Sequence, residues 1–333
     1  MMRLTISAIA AAAAIAFLGS QSAQADCGRV TIADMNWASA EFAAYVDKIV
    51  LEEGYGCNVE LVPGDTMPTS TSMMEKGEPD IAPELWVNAV KTALDRAVEE
   101  GRLQYAAEIL SDGGQEGWWI PQYVKDANPE IKSVNDALAR PELFEHPELP
   151  EKGAVYGCPS GWNCQILMEN FFRAYDGEEK GFELIDPGSG AGLAGSIAKS
   201  YERKEPWLGY YWAPTAILGK YPMYRLDMGV EHDPEEWHSC TSQPDCVDPE
   251  PNEWTRSSVW TVVTDRFSKS SPEAMAYLEQ RSWSNEIANE VLAYMDENQY
   301  MGEDGARYFL KKYQDKWTAW VPDEVAARVK EAL

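Results

Sequence analysis

Thirteen tryptophans stand in 333 residues, and where they fall matters more than how many there are. Trp37 follows an apolar run, and Trp86 comes shortly after Asp80-Ile81-Ala82. Trp118 and Trp119 close the run Gly113-Gly114-Gln115-Glu116-Gly117. Trp162 lies between Cys158 and Cys164, and Trp212 ends Tyr210-Tyr211-Trp212. Indole faces attract a desolvated cation through the ring quadrupole, at roughly 2 kcal/mol or more per face. A trimethylammonium group is a cation of this kind. It is greasy and has no N–H, so ordinary hydrogen bonds cannot hold it. One tryptophan alone reads as a core aromatic. A set at the carboxyl ends of strands, where open α/β sheets bind ligands, reads as a site.

Other chemistries find little support. The histidines are His146, His232 and His238. The last two are six apart in a proline-broken segment, so they share no helical face and read as surface residues. No Gly-x-Ser-x-Gly elbow occurs, because Ser160-Gly161 lacks the preceding glycine. Gly188-x-Gly190-x-Gly192 follows no clear strand and lacks a ribose-binding acid at the right distance, so it reads as a tight helix entry. No catalytic residue, cofactor or metal is expected. A secreted hydrolase or a ligand-sensing protein on the same fold remains the alternative.

The chain starts like an exported one. Arg3 precedes an apolar stretch from Leu4 to Leu18, and Ala23-Gln24-Ala25 gives a cleavage pattern, so residues 1–25 read as a signal peptide. Export to the periplasm implies an oxidising compartment. The nearest cysteines, Cys158 with Cys164 and Cys240 with Cys246, suggest two disulfides. Cys27 with Cys57 follows by elimination. A net charge of −27 repels nucleic acid and anionic lipid and suits a freely diffusing, monomeric protein.

The elements that must position the tryptophans alternate between strand and helix. Strands are expected at 29–33, 59–62, 80–82, 118–124, 154–157, 208–212 and 259–263. Helices are expected from Ser39, over 88–100 and 165–175, up to about 204 after the glycine run, and almost continuously from 272. This alternation predicts a parallel sheet covered by helices. The acid-rich segment 231–253 reads as an irregular excursion held by Cys240 and Cys246.

Three motifs carry a resemblance. Gly157-Cys158-Pro159-Ser160-Gly161-Trp162-Asn163-Cys164, Tyr210-Tyr211-Trp212-Ala213-Pro214 and Leu85-Trp86 are similar to motifs of the substrate-binding proteins of glycine betaine/proline betaine ABC importers. The resemblance implies that Trp86, Trp162 and Trp212 cage an ammonium. It also implies that the backbone N–H groups of Asn163 and Cys164, at a helix start, face the anionic end. Some members carry a carboxylate-binding histidine four residues after the first cage tryptophan, where this chain has Val90. Met35-Asn36-Trp37-Ala38 and the Gly113–Gly117 run resemble the trimethylamine N-oxide-binding branch. Trp37 and Trp119 are then candidates for further walls, and Glu116 and Glu84 for a polar contact.

The implied fold is α/β, a two-lobed type II periplasmic binding protein with the cleft between lobes. Residues 26–115 and 255–333 are expected to form the first lobe and 116–254 the second. The implied partners are a small cationic or zwitterionic solute and an ABC permease in the inner membrane.

Overall fold

The computed structural model describes residues 27–333, so the signal-peptide reading of 1–25 lies outside the described residues. Among the described residues ten strands form two five-stranded sheets. β1 (Arg29–Met35), β2 (Asn58–Gly64), β3 (Ile81–Trp86), β4 (Leu103–Glu108) and β10 (Val259–Thr264) make the first, in the order β2-β1-β3-β10-β4. β5 (Gln115–Pro121), β6 (Gly153–Tyr156), β7 (Phe182–Ile185), β8 (Gly209–Ala213) and β9 (Met223–Arg225) make the second, in the order β7-β6-β8-β5-β9. Val30, Ile32, Ala33 and Met35 are all buried, as a strand covered on both faces requires.

The expectation of a parallel sheet needs correction. β1 runs parallel to β2 and β3, but β10 is antiparallel to β3 and β4. In the second sheet β5 is antiparallel to both β8 and β9. The cause is connectivity. The chain leaves the first sheet after β4, builds the second, and returns through β10. The two crossing segments pair with each other at Gly114 and Ser257. This is the two-lobed architecture, one sheet to each lobe.

The C-terminal helices 272–278, 285–298, 302–312 and 323–332 lie where the periodicity puts them. Phe309 and Trp283 pack on Phe42 of the helix Ala38–Ile49. Disulfides join Cys27 to Cys57, Cys158 to Cys164 and Cys240 to Cys246. The acid-rich excursion is held from below, where Asn170 donates to the carbonyls of Cys240, Thr241 and Gln243. One further correction concerns the glycine run: β7 does precede it. Ser189 then caps the helix Gly190–Arg203 by accepting from the Gly192 amide. Among the described residues no helix is long and apolar enough to cross a membrane.

Candidate functional site

Four tryptophans from separate elements meet between the lobes. Trp86 ends β3, and Trp37 stands at the N-cap of the helix Ala38–Ile49, so both come from the first lobe. Trp162 stands at the N-cap of the helix Asn163–Ala174 and Trp212 lies in β8, so both come from the second. They surround a small cavity together with Tyr210, and Thr66, Asn163 and Cys164 complete its lining. The four indoles are only 8, 5, 5 and 7 % exposed in chain order. Trp162 meets Trp37 edge-on at 5.3 Å and Trp212 at 5.1 Å, so neighbouring walls stand nearly perpendicular.

Local sequence explains how Trp162 is presented. The Cys158–Cys164 disulfide closes its loop, and Gly161 takes a φ of +93° that side chains rarely adopt. Gly190 backs the ring, and a Cβ there would lie 2.8 Å from the Trp162 ring carbon Cη2. The glycine run thus serves close approach to an indole. Replacing Gly190 by Ala is expected to move the two properties in opposite directions. Alanine favours the helix by up to about 1 kcal/mol, while a Cβ at 2.8 Å must displace the Trp162 ring and should weaken binding. Paired thermal-melt and titration measurements check both signs.

Hydrogen bonds close the lobes at the cage itself. Trp162 Nε1 donates to Asn36 Oδ1 at 2.7 Å, and Asn163 Nδ2 donates to the Trp86 carbonyl at 3.0 Å. The Met67 amide donates to the Gly161 carbonyl at 3.1 Å. Asn36 is oriented in turn by donating to Asp65.

Two buried carboxylates lie behind the walls. Glu84 Oε1 accepts from Trp37 Nε1 at 2.7 Å, Ser39 Oγ at 2.7 Å and Trp86 Nε1 at 3.1 Å. Burial pushes its carboxyl above the usual range, while these donors and the Arg281 charge pull it back. Glu116 accepts from Tyr210 and Ser257 and is likewise pushed up by burial. Tyr210 is a neutral phenol whose proton is committed to Glu116.

The sequence-predicted residues therefore divide. Trp37, Trp86, Trp162, Asn163, Cys164 and Trp212 come together on one cavity. Glu116 does not line it but stands behind Tyr210. Trp119 does not line it either, which corrects its place as a candidate wall. Cross-strand partners share a face, so Glu116, Trp118, Tyr210 and Trp212 lie on one side of the sheet and Trp119 on the other. Its indole donates to the Tyr211 carbonyl. Tyr210 and Thr66 were missed. The alternation along Tyr210-Tyr211-Trp212 is signal enough for Tyr210. Thr66 opens a helix, Thr66–Lys76, that the sequence reading left unassigned.

Asn163 and Cys164, the first residues of the helix Asn163–Ala174, line the cavity beside the indoles, and no intrahelical carbonyl accepts from their amides. Among the described residues that line the cavity there is no charged side chain. Val90 lies outside it, in a separate groove with Ala93 and Ile166. Among the described residues no group of His, Cys, Asp or Glu is arranged to hold a metal.

Comparison with known proteins agrees with this architecture. A trimethylamine N-oxide-binding protein of Pelagibacter ubique (strain HTCC1062) is 21 % identical over 315 residues, covering 91 % of this chain and 94 % of that one. The solved glycine betaine/L-proline-binding protein ProX of Borrelia burgdorferi superposes with a TM-score of 0.71 at 21 % identity, covering 90 % and 99 % of the two chains. A choline-binding protein of an ABC transporter, solved with choline, gives 0.71 at 19 % identity, covering 92 % and 98 %. Residues 28–312 match the OpuAC family, described as the substrate binding domain of ABC-type glycine betaine transport systems. With that match spanning nearly all the described residues, the chain belongs to the family of substrate-binding proteins that serve glycine betaine-type ABC transporters.

Proposed function

We propose that the protein captures a small trimethylammonium solute with a compact negative end and hands it to an ABC permease in the inner membrane. Trimethylamine N-oxide is the first candidate and glycine betaine the second. The observation that carries this reading is the cavity of four buried indoles, with no charged side chain among the described residues that line it. The rings supply the attraction a trimethylammonium needs. The amides of Asn163 and Cys164 meet the oxygen end, helped by the positive pole of their helix. With the Tyr210 proton committed to Glu116 and Val90 in place of a histidine, few donors remain. A single N-oxide oxygen is satisfied by fewer donors than a carboxylate needs. Choline brings a hydroxyl donor and no negative charge to this pole, so it ranks third.

The reading involves no covalent chemistry. The protein works as a monomer in the periplasm, where its three disulfides persist. Residues 26–115 with 255–333 and residues 116–254 act as the two lobes that close on the solute. Calorimetric titration with trimethylamine N-oxide, glycine betaine and choline, with tryptophan fluorescence in parallel, tests it. One-to-one binding in that order is expected. Absence of heat with all three overturns the function, and tightest binding of choline overturns the role of the amides.

A further inference from the structure

Glu84 lies in β3 two residues before Trp86, so the two share a face of the strand. It is fully buried, yet it does not line the cavity. One of its oxygens accepts from both indoles that the first lobe contributes, and from Ser39. Indole nitrogen only donates, so each ring needs this acceptor to avoid a buried orphan N–H. Three donors gathered on one oxygen are the partners of an ionised carboxylate. The charged group that acts on Glu84 is Arg281, itself paired with Asp47 at 2.7 Å. Glu84's other oxygen, Oε2, is buried without a partner among the described residues, so its negative charge is only partly quenched. That charge sits immediately behind two cage walls, where water does not screen it.

We propose that Glu84 is a positioning residue that also makes the cage selective for a cation. It fixes Trp37 and Trp86 to one point, and it adds a buried negative charge behind their faces. The inference rests on the reading that the cavity holds a trimethylammonium group. Brace and charge are separable, because a tert-butyl group has the shape of trimethylammonium without its charge.

The test compares two pairs of probes on the mature protein: trimethylamine N-oxide against tert-butanol, and glycine betaine against 3,3-dimethylbutanoate. The readout is the affinity ratio within each pair. Glu84→Gln keeps an acceptor oxygen and loses the charge, so both ratios should fall by about tenfold or more, the scale of one poorly screened charge contact. Glu84→Asp keeps the charge and shortens the reach. It should weaken every probe and leave the ratios near those of the wild type. An unchanged ratio in Glu84→Gln, with all probes weakened alike, reduces Glu84 to a brace and overturns the proposal. So does a ratio that falls in Glu84→Asp, which also decides the matter if Glu84→Gln does not fold. Failure of the wild type to bind either trimethylammonium probe is a different result. It rejects the function itself, and this inference with it.

Discussion

Trp162→Ala is expected to bind its solute at least a hundredfold more weakly while keeping its fold. Trp162 is the central wall, standing edge-on to both Trp37 and Trp212. Truncation removes a cation–π face worth about 2 kcal/mol or more. It also removes the cross-lobe bond to Asn36, worth about 1 kcal/mol. Together these come to about 3 kcal/mol, or roughly a hundredfold in Kd. The ring projects into the cleft rather than into the core of either lobe, so secondary structure and cooperative melting should survive. Trp162→Phe should fall between, having a weaker face and no N–H. Trp119→Phe is the control, because that ring lies across the sheet from the cavity. Titration calorimetry of the three variants decides it. A Trp162→Ala protein that binds within about threefold of wild type removes Trp162 from the cage.

The contrast between Trp162 and Trp119 shows what can be read from a sequence. Trp162 was legible because a disulfide loop and a helix start fix it locally. The motif Gly157–Cys164 contains nearly everything that orients the ring. Trp119 was not, because a strand tryptophan can face either way, and register decides which. Here the pairing of Trp118 with Tyr210 put Glu116 and Trp118 on the cleft side and sent Trp119 to the other. The same period-two logic applied to Tyr210-Tyr211-Trp212 would have found Tyr210. The antiparallel strands escaped notice for a related reason. Hydrophobic runs report burial and say little about direction, and only the return of the chain through β10 sets its sense. Glu84 was legible as an acid near the first cage tryptophan. Its position behind two indoles was not, since it depends on how β3 meets the turn holding Trp37.

The second large effect lies beneath the cage. Arg281→Met is expected to destabilise the protein by about 3–5 kcal/mol, the usual cost of orphaning one member of a buried ion pair. Arg281 and Asp47 are both fully buried and 2.7 Å apart. Tyr277 donates to the same Asp47 oxygen, and Arg281 also donates to Thr261 and to the Pro83 carbonyl. Burial already pushes Asp47 up to about 6 against the pull of Arg281 and Tyr277. Without Arg281 that pull weakens and Asp47 rises further. A carboxyl that holds its proton more tightly when folded than when unfolded gains stability as pH falls through its folded value. The deficit of Arg281→Met relative to wild type should therefore be largest at alkaline pH, above the variant's raised Asp47 value, and shrink as pH falls toward about 6, below which both proteins gain stability alike. Pairing it with Asp47→Asn removes the uncompensated charge and should restore a large part of the loss. Denaturant titrations at two pH values check both statements, and a double variant no more stable than the single one refutes the argument. The pair also reaches the site. The Arg281 charge pulls Glu84 toward its ionised form, and its bond to the Pro83 carbonyl lies one residue from it. An Arg281→Met protein that still folds should thus lose part of its preference for trimethylammonium over tert-butyl probes, because its buried carboxylate is more readily protonated.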